Sequence, residues 1–357
     1  MIRKLTLKNF RNFCLQEFFF SENENIIIWK NWKWKTNILE AIGLFAWLNL
    51  SKLDFENIVS KNKDIFYIEI NFNDNIFSIS YDKTNNKKIY QLNKKRLNKQ
   101  KFLENSYKVV YFSPISMNLM YLSPNLRRDF LDEILGNCFL EYNKILKQYK
   151  KILSSRNKIL KNISIWESKI NELNFWNEKF SFLASIIYYY RFLLTSFLKE
   201  NTKDFTKYFS WKIKDFNFEY KSKIKNIWNI EKNEKINEIQ KQINQKLQEN
   251  QKIDLYTKTT NIGPHLDDFD IYIDDINLIN FASRWEVKSI ILWLKFLEIS
   301  FLEKYNNKKP ILLIDDLLSE LDEEHKNLLL NKIKNYQSFI TSIRDNYNNS
   351  NRIIKLN

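Results

Sequence analysis

The chain has 357 residues, and its 57 Lys and Arg against 42 Asp and Glu give a formal net charge of +15. Cys14 and Cys138 are too few for a disulfide-rich secreted class, and the lack of a continuous apolar run of about 18 residues argues against a membrane-spanning class. The basic balance favours an anionic partner, with nucleic acid ahead of a membrane surface, although a lysine-rich proteome would produce the same excess. With no apolar leader at the N-terminus, we expect a cytoplasmic protein.

The first third of the chain predicts short strands. Residues 2–7 alternate apolar and polar side chains with the period of a half-buried strand, and residues 17–20 and 25–28 predict two more. Residues 67–72 and 76–81 predict a hairpin, and residues 108–112 a further strand. The segment between them is dense in basic side chains and predicts either a nucleic-acid contact or a solvated hairpin face. Its basic residues include Lys87, Lys88, Lys94, Lys95, Arg96, Lys99 and Lys101.

The middle of the chain is helical in pattern, from about residue 125 to residue 199. Apolar residues recur there in steps of four and three, a coiled-coil-like seam that Arg156 interrupts. The segment is too polar to be the main core, so it predicts a projecting helical arm. Strand patterns return at 269–273, 310–314 and 339–341, around a helix at 289–302. We therefore expect an α/β head built from both chain ends, 1–122 and 262–357, with an inserted α-helical, short coiled-coil arm at 123–261.

The strand at 26–28 leads into the spacing of a phosphate-binding loop, G-x-x-x-x-G-K-[ST], before a helix that we expect to start near Asn37. The loop requires glycine, because its backbone adopts positive φ angles and its N–H groups approach phosphate closely. Tryptophan stands at both glycine positions, and three indoles would fill the space of the phosphates. The match is therefore a coincidence, a dead site, or a place where tryptophan is not the native residue. The residues are Trp29, Lys30, Asn31, Trp32, Lys33, Trp34, Lys35 and Thr36.

Composition bears on that choice, because the chain has 3 Gly and 10 Trp. Average usage of about 7% would give roughly 25 glycines in a chain of this length. Abundant Lys, Asn, Ile, Phe and Tyr indicate AT-rich coding DNA. Our hypothesis is that UGA codons, read as glycine in the source, are written here as tryptophan. Glycine at positions 29, 32 and 34 restores a complete phosphate loop.

Two further motifs carry chemistry. An apolar strand, residues 311–314, ends in Asp315 and Asp316, and paired carboxylates at a strand end suit a nucleotide-bound Mg²⁺ and a water-activating base. The alternative is a strand end with solvated carboxylates. The second motif, Ser283-Arg284-Trp285, would become Ser-x-Gly at the start of a helix, where backbone N–H groups can hold an anion. By itself it could equally be an ordinary capped helix.

Together these motifs resemble the RecF family of SMC-like ABC ATPases, over nearly the full length of the chain. The segments that carry the resemblance are 5–12, 29–42, 112–114, 127–132, 148–161, 263–265, 283–289, 315–322 and 337–341. The resemblance implies an ABC-type ATPase head that binds ATP and Mg²⁺. It also implies ATP-dependent homodimers on single- and double-stranded DNA gaps, and slow, DNA-stimulated ATP hydrolysis. The expected protein partners are RecO and RecR, which help to load RecA; no membrane is expected.

The resemblance also assigns roles within the nucleotide site. Residues 29–36 would wrap the phosphates, with Lys35 on the β and γ groups. Thr36 and Asp315 would hold Mg²⁺, and Asp316 would orient or deprotonate the attacking water.

Four further residues are assigned by the same resemblance. Ser283, Arg284 and position 285 would cap the γ-phosphate bound to the partner subunit, and Arg11 would lie near the nucleotide.

Departures from the family pattern leave two other functions open. Trp29, Trp32, Trp34 and Trp285, if native, would abolish nucleotide binding and leave a non-hydrolysing DNA clamp. A transporter-type ATPase subunit is the third possibility, which the arm and the basic charge disfavour. Trp166 is a candidate genuine tryptophan, since RecF-like arms often carry one near that position.

Overall fold

The structure is a computed structural model that describes residues 1–28, 32–46, 55–114, 123–203, 215–226, 231–278, 283–342 and 352–355. The chain divides into two compact units, one formed by residues 1–118 and 284–357 and the other by residues 119–283. The sequence patterns predict boundaries after 122 and 261. The second division falls later because the strand at 268–273 pairs with the strand at 216–221 and so belongs to the second unit.

The described residues contain fourteen strands. They are β1 (Ile2–Phe10), β2 (Phe13–Phe19), β3 (Glu24–Ile28), β4 (Ile65–Phe72), β5 (Asn75–Asp82), β6 (Lys87–Leu92), β7 (Lys95–Leu97), β8 (Val109–Phe112), β9 (Phe216–Lys221), β10 (Asp268–Ile273), β11 (Ile276–Asn277), β12 (Ile311–Ile314), β13 (Ser338–Ser342) and β14 (Arg352–Lys355).

The described residues also contain nine α-helices. They are α1 (Trp32–Gly43), α2 (Lys99–Asn105), α3 (Pro124–Cys138), α4 (Leu140–Ser164), α5 (Glu172–Glu200), α6 (Lys232–Glu249), α7 (Gln251–Thr257), α8 (Arg284–Asn306) and α9 (Glu323–Ile333).

The first unit contains two sheets. One is antiparallel, in the order β2-β1-β4-β5-β6-β7, and the other is parallel, in the order β14-β3-β13-β12-β8. All four residues of β12 are buried, as expected for a strand inside a covered parallel sheet. Gln337 ties the sheets together: its Oε1 accepts from the N–H of Ile2 at 2.7 Å, and its Nε2 donates to the carbonyl of Ile2 at 2.7 Å.

The second unit combines the three-stranded antiparallel sheet β11-β10-β9 with a helical hairpin of α4 and α5, against which α6 and α7 pack. Arg156, which interrupts the apolar seam of α4, is buried and pairs with Asp254 at 2.8 Å. Helix α5 is the one described helix that is long and apolar enough to cross a membrane. However, 67% of its most apolar window is buried inside the structure, as in the core helix of a soluble protein.

Candidate functional site

The carboxyl ends of β3, β13, β12 and β8 lie along one edge of the parallel sheet. Ligand sites of open α/β sheets form at this edge, because the connections that follow each strand meet there. The predicted phosphate loop follows β3, and the Asp315-Asp316 pair follows β12, with β13 between the two strands. Strand order thus brings the two predicted motifs together.

The connection after β3 differs from the prediction. Helix α1 begins at Trp32, five residues before the expected start near Asn37. Tryptophan disfavours a helix less than glycine does, so a tryptophan-containing segment can extend the helix into the predicted loop. Trp29, Lys30 and Asn31 lie outside the described residues, as do the side chains of Trp32, Lys33 and Trp34.

Three hydroxyl groups surround the Asp315 carboxylate. The Thr36 Oγ1 lies 3.2 Å from both carboxylate oxygens, the Thr341 Oγ1 lies 2.9 Å from Oδ1, and the Tyr111 hydroxyl lies 2.9 Å from Oδ2. Burial raises the pKa of Asp315 above its ordinary value, and the hydroxyl donors oppose that rise. Burial beside this carboxylate also raises the pKa of Tyr111, which keeps its hydroxyl a donor.

Lys35 and Asp316 form a buried ion pair in which Nζ lies 2.9 Å from Oδ1. Asp316 has a φ of +44°, a left-handed conformation that Asp tolerates better than most residues. Its backbone N–H donates to Thr341 Oγ1 at 2.8 Å, which fixes the turn after β12. The cation and both carboxylates therefore meet at the end of the sheet.

Arg11 lies at the turn after β1 and is bound to α1. Its Nε lies 3.1 Å from the Glu40 Oε2, and its Nη1 donates to the carbonyl of Asn57 at 3.0 Å. Burial raises the pKa of Glu40, and the guanidinium of Arg11 opposes that rise. Arg11 is thus held against the helix that carries Lys35 and Thr36.

The Ser283-Arg284-Trp285 motif lies at the start of α8, where Ser283 and Arg284 are exposed. Ser283 ends the second unit and Arg284 begins the final part of the first unit. The first turn of α8 carries the Trp285 ring, whose centre lies 5.2 Å from that of the His325 ring. Residues 279–282, which precede the motif, lie outside the described part of the chain.

Known proteins similar to this chain decide its family. No protein-family model matches it. It is 34% identical over 354 residues to the DNA replication and repair protein RecF of Clostridium botulinum, covering 95% of this chain and 92% of that protein. It is 31% identical over 346 residues to RecF of Clostridium perfringens, with the same coverage. The chain belongs to the RecF family.

Solved structures agree with that assignment. A structure of the recombination mediator protein RecF with ATPrS in the RecFOR pathway has a TM-score of 0.87 and 26% identity, covering all of this chain and 96% of that one. A RecF–ATP structure has a TM-score of 0.84 and 27% identity, covering 99% and 95%. An Smc head domain from Pyrococcus furiosus, at 15% identity and a TM-score of 0.52, shares the fold. The α/β ABC-type head that the sequence predicts for the RecF family is confirmed.

The donor set at the sheet edge fits Mg²⁺. Mg²⁺ in nucleotide sites is held by one or two carboxylates and hydroxyls together with phosphate oxygens and waters. The Asp315 carboxylate and the Thr36 hydroxyl supply such oxygens side by side. Among the described residues, no group of three or more His, Cys, Asp or Glu side chains could hold a metal alone. The described residues therefore supply some of the Mg²⁺ ligands, and the phosphate oxygens of a nucleotide and water would supply the others.

Two residues of the site and one cluster beside it are not among the predicted residues. Tyr111 and Thr341 both bind Asp315, and only the strand order, which brings β8 and β13 beside β12, reveals this. The cluster lies between α8 and α9. There the buried His325 ring bridges Ser289 at 2.8 Å and Asp322 at 2.7 Å. The sequence signal beside this cluster is Ser319–Asp322, which is part of the 315–322 segment that carries the family resemblance.

Proposed function

We propose that this chain is an ATP-dependent DNA-binding protein of recombinational repair and replication-fork maintenance, with weak, DNA-stimulated ATPase activity. The observation that carries the proposal is the meeting of Lys35, Thr36, Asp315 and Asp316 at one sheet edge in a RecF-family chain. The solved RecF structures with ATP and ATPrS support the choice of nucleotide.

Each side chain of the edge has a proposed role. Thr36 and Asp315 hold Mg²⁺, which when bound supplies charge neutralisation for phosphoryl transfer. Lys35 provides the positive charge for the β- and γ-phosphates. These phosphates compete with Asp316 for the ammonium group of Lys35. Asp316 orients or deprotonates water, a role that a buried carboxylate can perform once Lys35 has another anionic partner.

The remaining assignments concern a homodimer with ATP between its subunits. Ser283, Arg284 and position 285 would act on the nucleotide of the partner subunit. The exposure of Ser283 and Arg284 at the start of α8 supports this. Arg11 would lie near the nucleotide, and its attachment to Glu40 on α1 supports that position.

The proposed partners are gapped, single- and double-stranded DNA and the mediator proteins RecR and RecO, with RecA acted on indirectly in the cytoplasm. The net charge of +15 supports an anionic polymer as the binding partner. The RecFOR pathway named for the two solved relatives supports the mediator proteins.

The backbone conformation at residue 166 supports the hypothesis that the native residue at this position is glycine. Helix α4 ends in a Schellman motif. The N–H of Trp166 donates to the carbonyl of Ile163 at 3.2 Å, and the N–H of Glu167 donates to the carbonyl of Asn162 at 2.9 Å. Trp166 has a φ of +64° and is 96% exposed, so no packing compensates for a conformation that favours glycine. This geometry argues against Trp166 as a genuine tryptophan.

Peptide mass spectrometry on protein from the native source tests the recoding directly. Trypsin should release Asn162–Lys169, and we expect glycine at its fifth position. Tryptophan at that position, and in the peptides that cover positions 29, 32, 34 and 285, would refute the recoding.

A second candidate function, a DNA clamp without ATPase activity, is favoured by one observation. Helix α1 begins at Trp32, inside the predicted loop. The two functions are separated by ATP binding to the full-length chain made with glycine at positions 29, 32, 34 and 285, beside the tryptophan form. We expect ATP to bind only the glycine form. Equal failure of both forms, with DNA binding retained, would favour the clamp.

A further inference from the structure

One face of α4 is lined by lysines. Six exposed residues of α4 follow steps of three and four, which place them in a single stripe along the helix; Gln148 and Lys150 are exposed beside it. The stripe consists of Lys144, Lys147, Lys151, Ser154, Lys158 and Lys161. The opposite face, which includes Tyr142, Tyr149 and Leu160, is buried. We call this set of six residues the α4 stripe.

Glu141, in the first turn of α4, is the one carboxylate of this helix, and none lies along the rest of the α4 stripe. Residues 142–166 contain no Asp or Glu. The lysine side chains of the stripe make no ion pair or hydrogen bond with any residue in the described ranges. Among the described residues, the lysines of the stripe therefore form a line of positive charge without paired carboxylates.

A neighbouring helix of the same unit shows what ordinary lysine enrichment produces here. Helix α6 also carries several lysines, but glutamates are interspersed among them. Two of its lysines are paired with these glutamates, Lys241 with Glu238 and Lys246 with Glu249 at 2.7 Å. A lysine-rich proteome accounts for α6, whereas it does not account for the lack of acidic residues along the α4 stripe.

The other basic segment of the chain, residues 83–101, has a different geometry. Lys87 and Lys88 are neighbours on β6, so their side chains point to opposite faces of the sheet. Lys88 lies 4.0 Å from the centre of the Phe55 ring, which engages its charge. Lys94, Lys95 and Arg96 follow at the turn into β7. This segment spreads its charge in several directions instead of along one line.

The length of the α4 stripe suits a phosphate backbone. Lys144 and Lys161 are separated by 17 residues, or about 25 Å along the helix axis at about 1.5 Å per residue. The same length of duplex DNA presents about seven base pairs at about 3.4 Å each. We propose that the α4 stripe is the surface of the second unit that contacts the phosphate backbone of DNA. This inference rests on the proposed function and names the DNA contact within it.

The composition of the stripe disfavours an anionic membrane as the partner. A helix that lies on a membrane surface buries aromatic and large apolar side chains beside its basic residues. The exposed residues of α4 are Lys, Gln, Ser and one Glu, and its apolar side chains are buried or half-buried. Phosphate contacts without base contacts bind with little sequence preference and with strong salt dependence.

The experiment compares two triple variants of the full-length chain that remove the same charge. The first, Lys147→Gln with Lys151→Gln and Lys158→Gln, neutralises the α4 stripe; glutamine preserves helix propensity. The second, Lys94→Gln with Lys95→Gln and Arg96→Gln, neutralises the β6–β7 turn and is the matched control. The measurement is the slope of log affinity against log salt for one gapped duplex. Thermal melting checks that both variants fold.

For the stripe variant we expect the magnitude of the slope to fall by about 2 to 3, at about 0.9 per duplex phosphate contact, and no such change for the control. Equal slopes for the two variants, or a larger change in the control, would overturn the inference while the proposed function stands. A parent chain with no salt-dependent DNA binding would overturn the proposed function as well. Binding of the parent to phosphatidylserine vesicles but not DNA, lost in the stripe variant, would reassign the stripe to a membrane.

Discussion

The Nζ of Lys35 lies 2.9 Å from the Oδ1 of Asp316, so the predicted phosphate-binding cation is paired with the predicted catalytic carboxylate. Lys35 is fully buried and Asp316 is 8% exposed. If Lys35 binds phosphate as proposed, the phosphate would share the ammonium group with Asp316 or replace Asp316 there. Nucleotide binding would then be coupled to the availability of Asp316 through a single side chain.

We expect Lys35→Ala, in the form with glycine at the four predicted positions, to remove ATP binding. It should also destabilise the chain by about 3–5 kcal/mol, because it leaves the Asp316 carboxylate buried without its cation. Equilibrium ATP titration and urea unfolding measure the two effects. Lys61→Ala, at an exposed position, is the control and should change stability by less than about 0.5 kcal/mol. ATP binding of undiminished affinity in Lys35→Ala would contradict the assignment.

Asp316→Asn should retain ATP binding and dimerisation, since bound phosphate can neutralise Lys35 in place of the carboxylate. Hydrolysis should fall by about 10²–10⁴-fold, the usual contribution of a positioned general base. Steady-state phosphate release and light scattering with ATP provide the readouts. A normal rate of phosphate release from this variant would show that Asp316 does not activate water.

The stability of the second unit should depend on pH through His265. Its Nδ1 accepts from the Tyr149 hydroxyl at 2.6 Å and its Nε2 donates to the carbonyl of Thr260 at 3.0 Å, an arrangement that needs a neutral ring. Burial lowers the pKa of His265 from its ordinary 6.5 to about 4, and nearby arginines add to this effect. Because the unfolded chain binds the proton more readily, stability is lost as pH falls from about 6.5 to about 4.

The full effect amounts to about 3 kcal/mol at about 1.4 kcal/mol per pKa unit. Urea unfolding across this pH window, for the parent and for His265→Gln, measures it. Burial also raises the pKa of Asp267 to about 6, which changes stability in the opposite direction in both proteins. The difference between them should shrink towards acid pH. A difference that is constant with pH would contradict the neutral, buried His265.

The bridge between α8 and α9 through His325 should be measurable as a coupling energy. Ser289 Oγ lies 2.8 Å from Nε2 of His325, and Asp322 caps α9 by accepting the His325 N–H at 3.1 Å. Ser289→Ala should cost about 1 kcal/mol, the usual net value of one hydrogen bond. The double variant with His325→Ala should lose at least about 0.5 kcal/mol less than the sum of the single losses. Strict additivity would show that the two side chains do not stabilise each other.

Local patterns predict the elements of this fold better than they predict the contacts between them. The fully apolar run Ile311–Ile314 identifies β12, and the carboxylates that follow are found at the sheet edge. Local patterns do not predict the contacts of Tyr111 and Thr341 with Asp315, because these contacts depend on the order of three strands, β8, β12 and β13. The pairing of β9 with β10 likewise spans a long stretch of sequence. The start of α1 at Trp32 was not predicted, because the loop pattern places the helix start near Asn37.

The proposed function makes DNA binding by this RecF-family chain dependent on ATP. The most direct test measures the affinity of the full-length glycine form for a gapped duplex at one fixed salt concentration, with and without ATP and Mg²⁺. We expect ATP to tighten binding, and Lys35→Ala to abolish the difference while leaving the nucleotide-free affinity unchanged. An affinity that is the same with and without ATP, in a chain shown to bind ATP, would rule out ATP-dependent DNA binding.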